Sequence, residues 1–300
     1  MRPGPAQHYE RQASVYHRFA RGGPEEDLAR TWNDQSTVDA WRHARMYETL
    51  RPILEGWPGS RWLTVGDGRY GSDAAFLAGQ GMEALATDVG DALLKEALAA
   101  GRIPAFRREN AESLSFHDEQ FDFVLCKESL HHCPRPMVAL YELVRVARLA
   151  VVLIEPNDSL VNRTWAERTT ETLVALSKRL LGKNPAPPLF EESGNYIYGL
   201  SNREVEKVSL GLGLNHVAFR GFNDQYVPGV EREQIVANGP LFRRVRSRIR
   251  QKDFLCRLRL RQYDLFTTIM FKSRVDDATR HRLIRRNFRL LELPKNPFTA

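Results

Sequence analysis

Between residues 60 and 157 the chain alternates short apolar runs with helical patterns, and the first junction between them is rich in glycine. Arg61 to Val65 reads as a strand, Gly66-Asp-Gly-Arg-Tyr-Gly71 as a turn, and Ser72 to Gln80 as a helix. Glycine at such a junction lets the backbone turn sharply and approach a ligand with no Cβ between them. Glu83 to Thr87 reads as a second strand ending at Asp88, twenty positions after Gly68. A helix over Asp91 to Ala100, a weak strand over Ile103 to Arg107, a strand over Phe121 to Cys126 and a helix over Pro136 to Val146 follow. Leu149 to Ile154 is wholly apolar, as a parallel strand covered on both faces must be. Repeated βα units of this length predict an α/β domain with a doubly wound, mostly parallel sheet.

The flanks are less regular. Residues 1–59 read as a helical N-terminal cap, with one helix over Thr37 to Leu50, Ser36 as its N-cap and Pro52 as its stop. The main domain spans 60–274. It carries a lid segment over 160–199, helical over 160–182 with a loop from Gly182 to Pro188, and a basic insertion over 231–261. Asn202 to Leu210 reads as a helix, and His216 to Phe222 and Leu265 to Phe271 as late strands. Residues 275–300 form a basic, helical C-terminal tail.

Apolar residues make up 42% of the 300, enough for a substantial core, and the net charge of +7 favours anionic partners without choosing among them. Cys126, Cys133 and Cys256 form no C-x-x-C pair, which argues against a zinc cluster or a disulfide framework and for a reducing, cytoplasmic setting. The first ten residues lack the apolar core of a signal peptide, and the longest apolar run is too short to cross a bilayer.

Gly66-x-Gly68-x-x-Gly71 with Asp88 fits a dinucleotide fingerprint, in which the acid accepts hydrogen bonds from ribose hydroxyls. The succession that follows separates the ligands: Asn110-Ala-Glu-Ser-Leu-Ser-Phe116, Phe121-Asp-Phe-Val, Glu128-Ser-Leu-His-His132, then Met137 to Val146. This ordered set resembles the class I S-adenosylmethionine-dependent methyltransferases, the small-molecule group similar to methyltransferase type 11, over roughly residues 60–157. The resemblance implies a Rossmann-like fold and S-adenosylmethionine as cofactor. It sets Gly66, Gly68 and Gly71 along the cofactor, Asp88 at the ribose, Asn110 and Ala111 at the adenine and Lys127 along the cleft. The sequence departs from the family at Thr64, where an acid is usual, and in one extra residue before Gly71; Asp67 is the substitute carboxylate for the methionine ammonium.

Methyl transfer to a hydroxyl needs alignment and a base. Glu128, His131 and His132 follow the fourth strand and are the catalytic candidates, histidine because it titrates near neutrality. Glu155-Pro-Asn-Asp158 follows the fifth strand, and no spacing among these groups calls for a metal, so none is expected. Arg243 to Arg261 is densely basic around a stripe of Phe242, Val245 and Ile249, and Arg280, Arg282, Arg285, Arg286 and Arg289 form a second cluster. The leading expectation is methylation, as O-methylation, of a small-molecule or sugar acceptor of anionic character, with the arginines drawing that acceptor or contacting an anionic membrane surface. Weighed beside it are an RNA methyltransferase, a cofactor-binding protein without transfer and an NAD-dependent oxidoreductase; nucleic acid is the less favoured partner because no RNA-binding module is recognised.

Overall fold

The structure is a computed structural model that describes residues 5–298 apart from 21, 159, 162, 183–188 and 192. Four helices open the chain: α1 (Pro5–His17), α2 (Pro24–Thr31), α3 (Val38–Tyr47) and α4 (Arg51–Leu54). Then come β1 (Arg61–Val65), α5 (Ser72–Gly79), β2 (Glu83–Asp88), α6 (Ala92–Ala99), β3 (Phe106–Arg108), β4 (Phe121–Lys127), α7 (Pro136–Val146) and β5 (Ala147–Pro156). The remainder is α8 (Trp165–Leu180), α9 (Asn202–Gly211), β6 (His216–Phe222), α10 (Pro240–Arg257), β7 (Leu265–Phe271), α11 (Asp277–Arg285) and β8 (Arg289–Glu292).

One eight-stranded sheet runs β3-β2-β1-β4-β5-β7-β6-β8. Its first five strands are parallel, in the order of a doubly wound fold. Where a dinucleotide-binding sheet adds a sixth parallel strand, this one inserts β7 antiparallel between β5 and β6. Alternate residues of β4 show the two covered faces: Phe123 and Leu125 join the core under α3, α4, α5 and α6, whereas Val124 and Cys126 join the core under α7 and α9.

Three details depart from the sequence reading. The N-cap of α3 is Thr37, whose hydroxyl accepts from the Ala40 amide at 3.1 Å, while Ser36 bonds Asp34 and Gln234 instead. The tail is not helical throughout, because β8 closes the sheet edge on β6. The second arginine cluster is largely paired within the chain: Arg282 donates to the Pro52 carbonyl at 3.1 Å, Arg286 reaches Glu55 at 3.1 Å, Arg280 pairs with Glu292, and Arg289 lies 3.8 Å from Glu206. By contrast, Phe242, Val245 and Ile249 of α10 are buried with Val38 and Val230. Arg244, Arg250, Arg257 and Arg259 make no ion pair among the described residues. No described helix is long and apolar enough to cross a membrane. Most of the expected loop, residues 183–188, lies outside the described residues.

Candidate functional site

The glycine turn is pinned to the neighbouring strand, since the amides of Gly66 and Asp67 both donate to the Thr87 carbonyl at 2.9 Å. That brings Gly68 against Asp88: a Cβ on Gly68 would stand 2.8 Å from Asp88 Oδ2. Asp88 is buried, and the Gly90 amide donates to its Oδ1 at 2.7 Å. Burial pushes the Asp88 carboxyl up to about 6, with the surrounding amides of Gly90, Gly68 and Val89 pulling the other way. Gly71 has a different duty. At φ +64° it caps α5, and a Cβ there would meet Ile103 Cγ2 at 2.7 Å, so this glycine serves close packing under the turn.

Asp67 turns inward. Its carboxylate accepts from the Thr64 hydroxyl at 2.8 Å and from the amides of Asp73 (3.1 Å) and Ala74 (2.9 Å), capping α5. Burial and neighbouring Asp73 raise its pKa well above the usual carboxylate range. Asn110 Oδ1 accepts from the Glu112 amide at 2.9 Å in a local turn, with Ala111 between them packed against the core. Buried Glu112 pairs with Arg135.

A cleft of about 500 Å³ opens at the carboxyl ends of β1 and β4, large enough for a cofactor-sized ligand. Seven of the eleven residues singled out from the sequence line it: Gly66, Asp67, Gly68, Lys127, Glu128, His131 and His132. Gly71, Asp88, Asn110 and Ala111 do not, although Asp88 touches the far side of Gly68. The opposite wall comes from Gln12 of α1, Phe19, Trp32, His43 of α3, Glu191 and Ser193. At the Asp88 end, His17 closes α1 over a small hollow lined by Gly68 and Gly90. A second cavity of about 500 Å³ continues between α3 and α5 and shares Trp32, His43, Arg69 and Ser72 with the cleft.

Beneath the cleft lies a buried polar network. Lys127 Nζ is 3.2 Å from Asp73 Oδ1, which also accepts from the Tyr47 hydroxyl at 2.6 Å. Burial disfavours the Lys127 charge, but Asp73 and then Glu128 outweigh it and hold the ammonium above the ordinary lysine pKa. His43 stands between cations, 3.4 Å from Lys127 Nζ and 2.6 Å from Arg69 Nη1. Burial, with Lys127 and Arg69, lowers its pKa well below the usual value and keeps it neutral. Glu128 leaves β4 at φ +49°, a strained conformation for a non-glycine residue, and aims its half-exposed carboxylate into the cleft.

The two histidines are each held by a carboxylate. His131 Nδ1 is 2.6 Å from Glu155 Oε2. Glu155 is fully buried at the end of β5, and its other oxygen accepts from the amides of Ser129 (3.0 Å) and Leu130 (2.9 Å). Burial alone would depress the His131 pKa, yet the Glu155 carboxylate prevails and raises it above the ordinary value. With Nδ1 engaged by Glu155, an imidazolium at this position is stabilised from behind. His132 Nδ1 bonds Glu191, and the two imidazole centroids are 3.9 Å apart.

Residues 63–154, just under a third of the chain, match the model of a methyltransferase domain. No curated protein matches the chain. Among solved structures, an S-adenosylmethionine-dependent methyltransferase from Methanosarcina mazei is 18% identical, covers 74% of this chain and 97% of its own, and has a TM-score of 0.46. Magnesium protoporphyrin IX methyltransferase from Synechocystis with bound S-adenosylmethionine is 15% identical, covers 88% and 97%, and has a TM-score of 0.48. The chain carries a methyltransferase domain over residues 63–154. It is an S-adenosylmethionine-dependent methyltransferase, with S-adenosylmethionine as its cofactor.

Proposed function

We propose that the chain methylates a hydroxyl of a small-molecule or sugar acceptor bound in the cleft beside β4 and β5, with His131 as general base. The observation that carries this reading is the His131–Glu155 pair on the wall of the cleft that also holds Gly66 and Gly68. When bound, S-adenosylmethionine supplies an electrophilic methyl on its sulfonium. Asp88 would accept hydrogen bonds from its ribose hydroxyls, a role that suits a carboxylate at the end of β2 beside a residue with no Cβ. His131 Nε2 takes the acceptor's proton, and Glu155 holds the ring in the tautomer that leaves Nε2 free to do so. His43 is a poorer base, because both of its ring nitrogens face cations. Lys127 and Glu128 border the acceptor space, and Arg244 and Arg250 of α10, which make no ion pair among the described residues, draw an acceptor of anionic character.

The α1–α4 cap closes over the cleft in this reading together with Glu191 and Ser193 of the expected lid segment 160–199, and the free, buried cysteines suit a cytoplasmic setting. Radiolabelled methyl transfer to fractionated cell extracts tests the proposal. A labelled small hydroxylated product, lost in His131→Ala, is the expected result. A labelled RNA, or label retained in full by His131→Ala, refutes it.

A further inference from the structure

Helix α8 is built inside out. Trp165, Thr169, Leu173, Leu176 and Leu180 recur at spacings of three and four, and with Ala166, Val174 and Leu181 they occupy one half of the helical circumference. In a packed helix that half faces the core. Here Leu180 is 80% exposed, Trp165 73%, Leu181 71% and Leu173 63%, and no described side chain of α8 is buried. The body holds α8 by its polar side: the Gln262 amide donates to Glu167 at 2.9 Å, and the Thr164 hydroxyl donates to the Leu260 carbonyl at 2.8 Å. A complete capping box at Thr164 and Glu167 starts the helix without help from packing. Of the 22 large apolar side chains exposed among the described residues, ten lie between Leu160 and Tyr196, so this is a concentrated patch and not the ordinary scatter of a protein surface.

Charge decides what covers it. Arg168 and Arg179 border the apolar half on one side and Lys178 on the other, against Glu167 and Glu171 in the polar half of the same helix. The anchor at Leu260 and Gln262 follows the end of α10, where Arg257 and Arg259 are exposed and make no ion pair among the described residues. The chain as a whole carries +7. Two such basic surfaces repel, which disfavours a second copy of this chain, whereas an anionic bilayer satisfies the cations and the apolar residues together. We propose that α8 is a membrane-docking helix: it lies in the surface of an anionic phospholipid bilayer, with Trp165, Leu173, Leu176 and Leu180 inserted and the arginines at its borders and at the end of α10 on the headgroups. The docking is independent of the reaction assigned to the cleft.

Co-sedimentation of the full chain with phosphatidylcholine vesicles, with and without phosphatidylglycerol, tests this. The wild type is expected to bind the anionic vesicles at least tenfold better than the neutral ones. Leu173→Glu combined with Leu180→Glu is expected to lose at least tenfold of that binding. Because these side chains are exposed, the double variant should melt like the wild type and bind S-adenosylhomocysteine unchanged; Trp165→Ala, milder still, gives an independent reading of the same face. A wild type that stays in the supernatant overturns the proposal. So does a double variant and Trp165→Ala that both bind as well as wild type, which would leave the arginines alone responsible, or a dimer seen by light scattering that the double variant dissolves.

Discussion

Replacing Glu155 by Gln changes one atom and tests the proposed base. In the native chain Glu155 Oε1 accepts from two amides and Oε2 accepts from His131 Nδ1. A glutamine has one oxygen to offer. If it keeps the two amides, its NH2 faces Nδ1, which must then become an acceptor; the ring proton moves to Nε2, the atom required to take a proton from the acceptor. If the amide flips, its NH2 confronts the donors of Ser129 and Leu130. Exchanging a charged for a neutral hydrogen bond should destabilise the fold by about 1–2 kcal/mol. Losing the correct tautomer should lower kcat by about 10²- to 10⁴-fold, the usual reach of a general base. The sign in pH follows from the raised His131 pKa. Activity of the native enzyme should rise with pH through a midpoint above histidine's ordinary value, about 6.5. The stability that the charged pair contributes is fully present below that value and is lost as pH climbs through the native pKa. In Glu155→Gln burial opposes only the weaker pull of Glu128 and Glu191, so the limb moves to lower pH. Nitrogen-15 NMR of the histidines reads the tautomer and the titration without an acceptor in hand, and calorimetry with S-adenosylhomocysteine checks that the cofactor site is unchanged. A Glu155→Gln variant with native kcat and an Nδ1-protonated His131 would refute the reasoning.

Other consequences are equally open to measurement. Gly68→Ala puts a Cβ 2.8 Å from Asp88 Oδ2 and should weaken S-adenosylhomocysteine binding in calorimetry while leaving far-ultraviolet circular dichroism unchanged. Because the Asp88 carboxyl is pushed up to about 6, cofactor affinity should fall as pH drops from 7 to 5 in the wild type, and Asp88→Ala should abolish that dependence. Charge reversal at Arg246 and Arg250 should raise the acceptor's KM in steady-state assays and leave cofactor affinity as it was, and added salt should mimic it because exposed charges are screened within about 8 Å.

Much of the sheet is legible in the sequence because its strands are covered on both faces and stand out as apolar runs; His216–Phe222, Leu265–Phe271 and Pro136–Val146 have the bounds their patterns suggest. β8 escaped because it is a four-residue edge strand, Arg-Leu-Leu-Glu, inside a basic stretch whose helix dominates the pattern. The site divides in the same way. Residues at or just after a strand end, such as Lys127, Glu128, His131 and His132, are local features, and the topology gathers them at one edge. His43 contacts Lys127 across 84 positions, and on an amphipathic helix its polarity looks like a solvent face. Glu155 is visible just past the apolar run Leu149 to Ile154, but its partnership with His131 depends on the parallel register of β4 and β5. The two arginine clusters look alike in sequence. They differ because the acids that pair with the second one, Glu55 and Glu206, lie on distant segments.

Calorimetric titration of the purified chain with S-adenosylhomocysteine and, separately, with NAD tests the central claim most directly. Saturable one-to-one binding of S-adenosylhomocysteine, weakened about tenfold or more in Asp88→Ala by the loss of charge-assisted hydrogen bonds, and no heat with NAD are expected. Binding of NAD, or S-adenosylhomocysteine affinity that is indifferent to Asp88→Ala, would contradict the account.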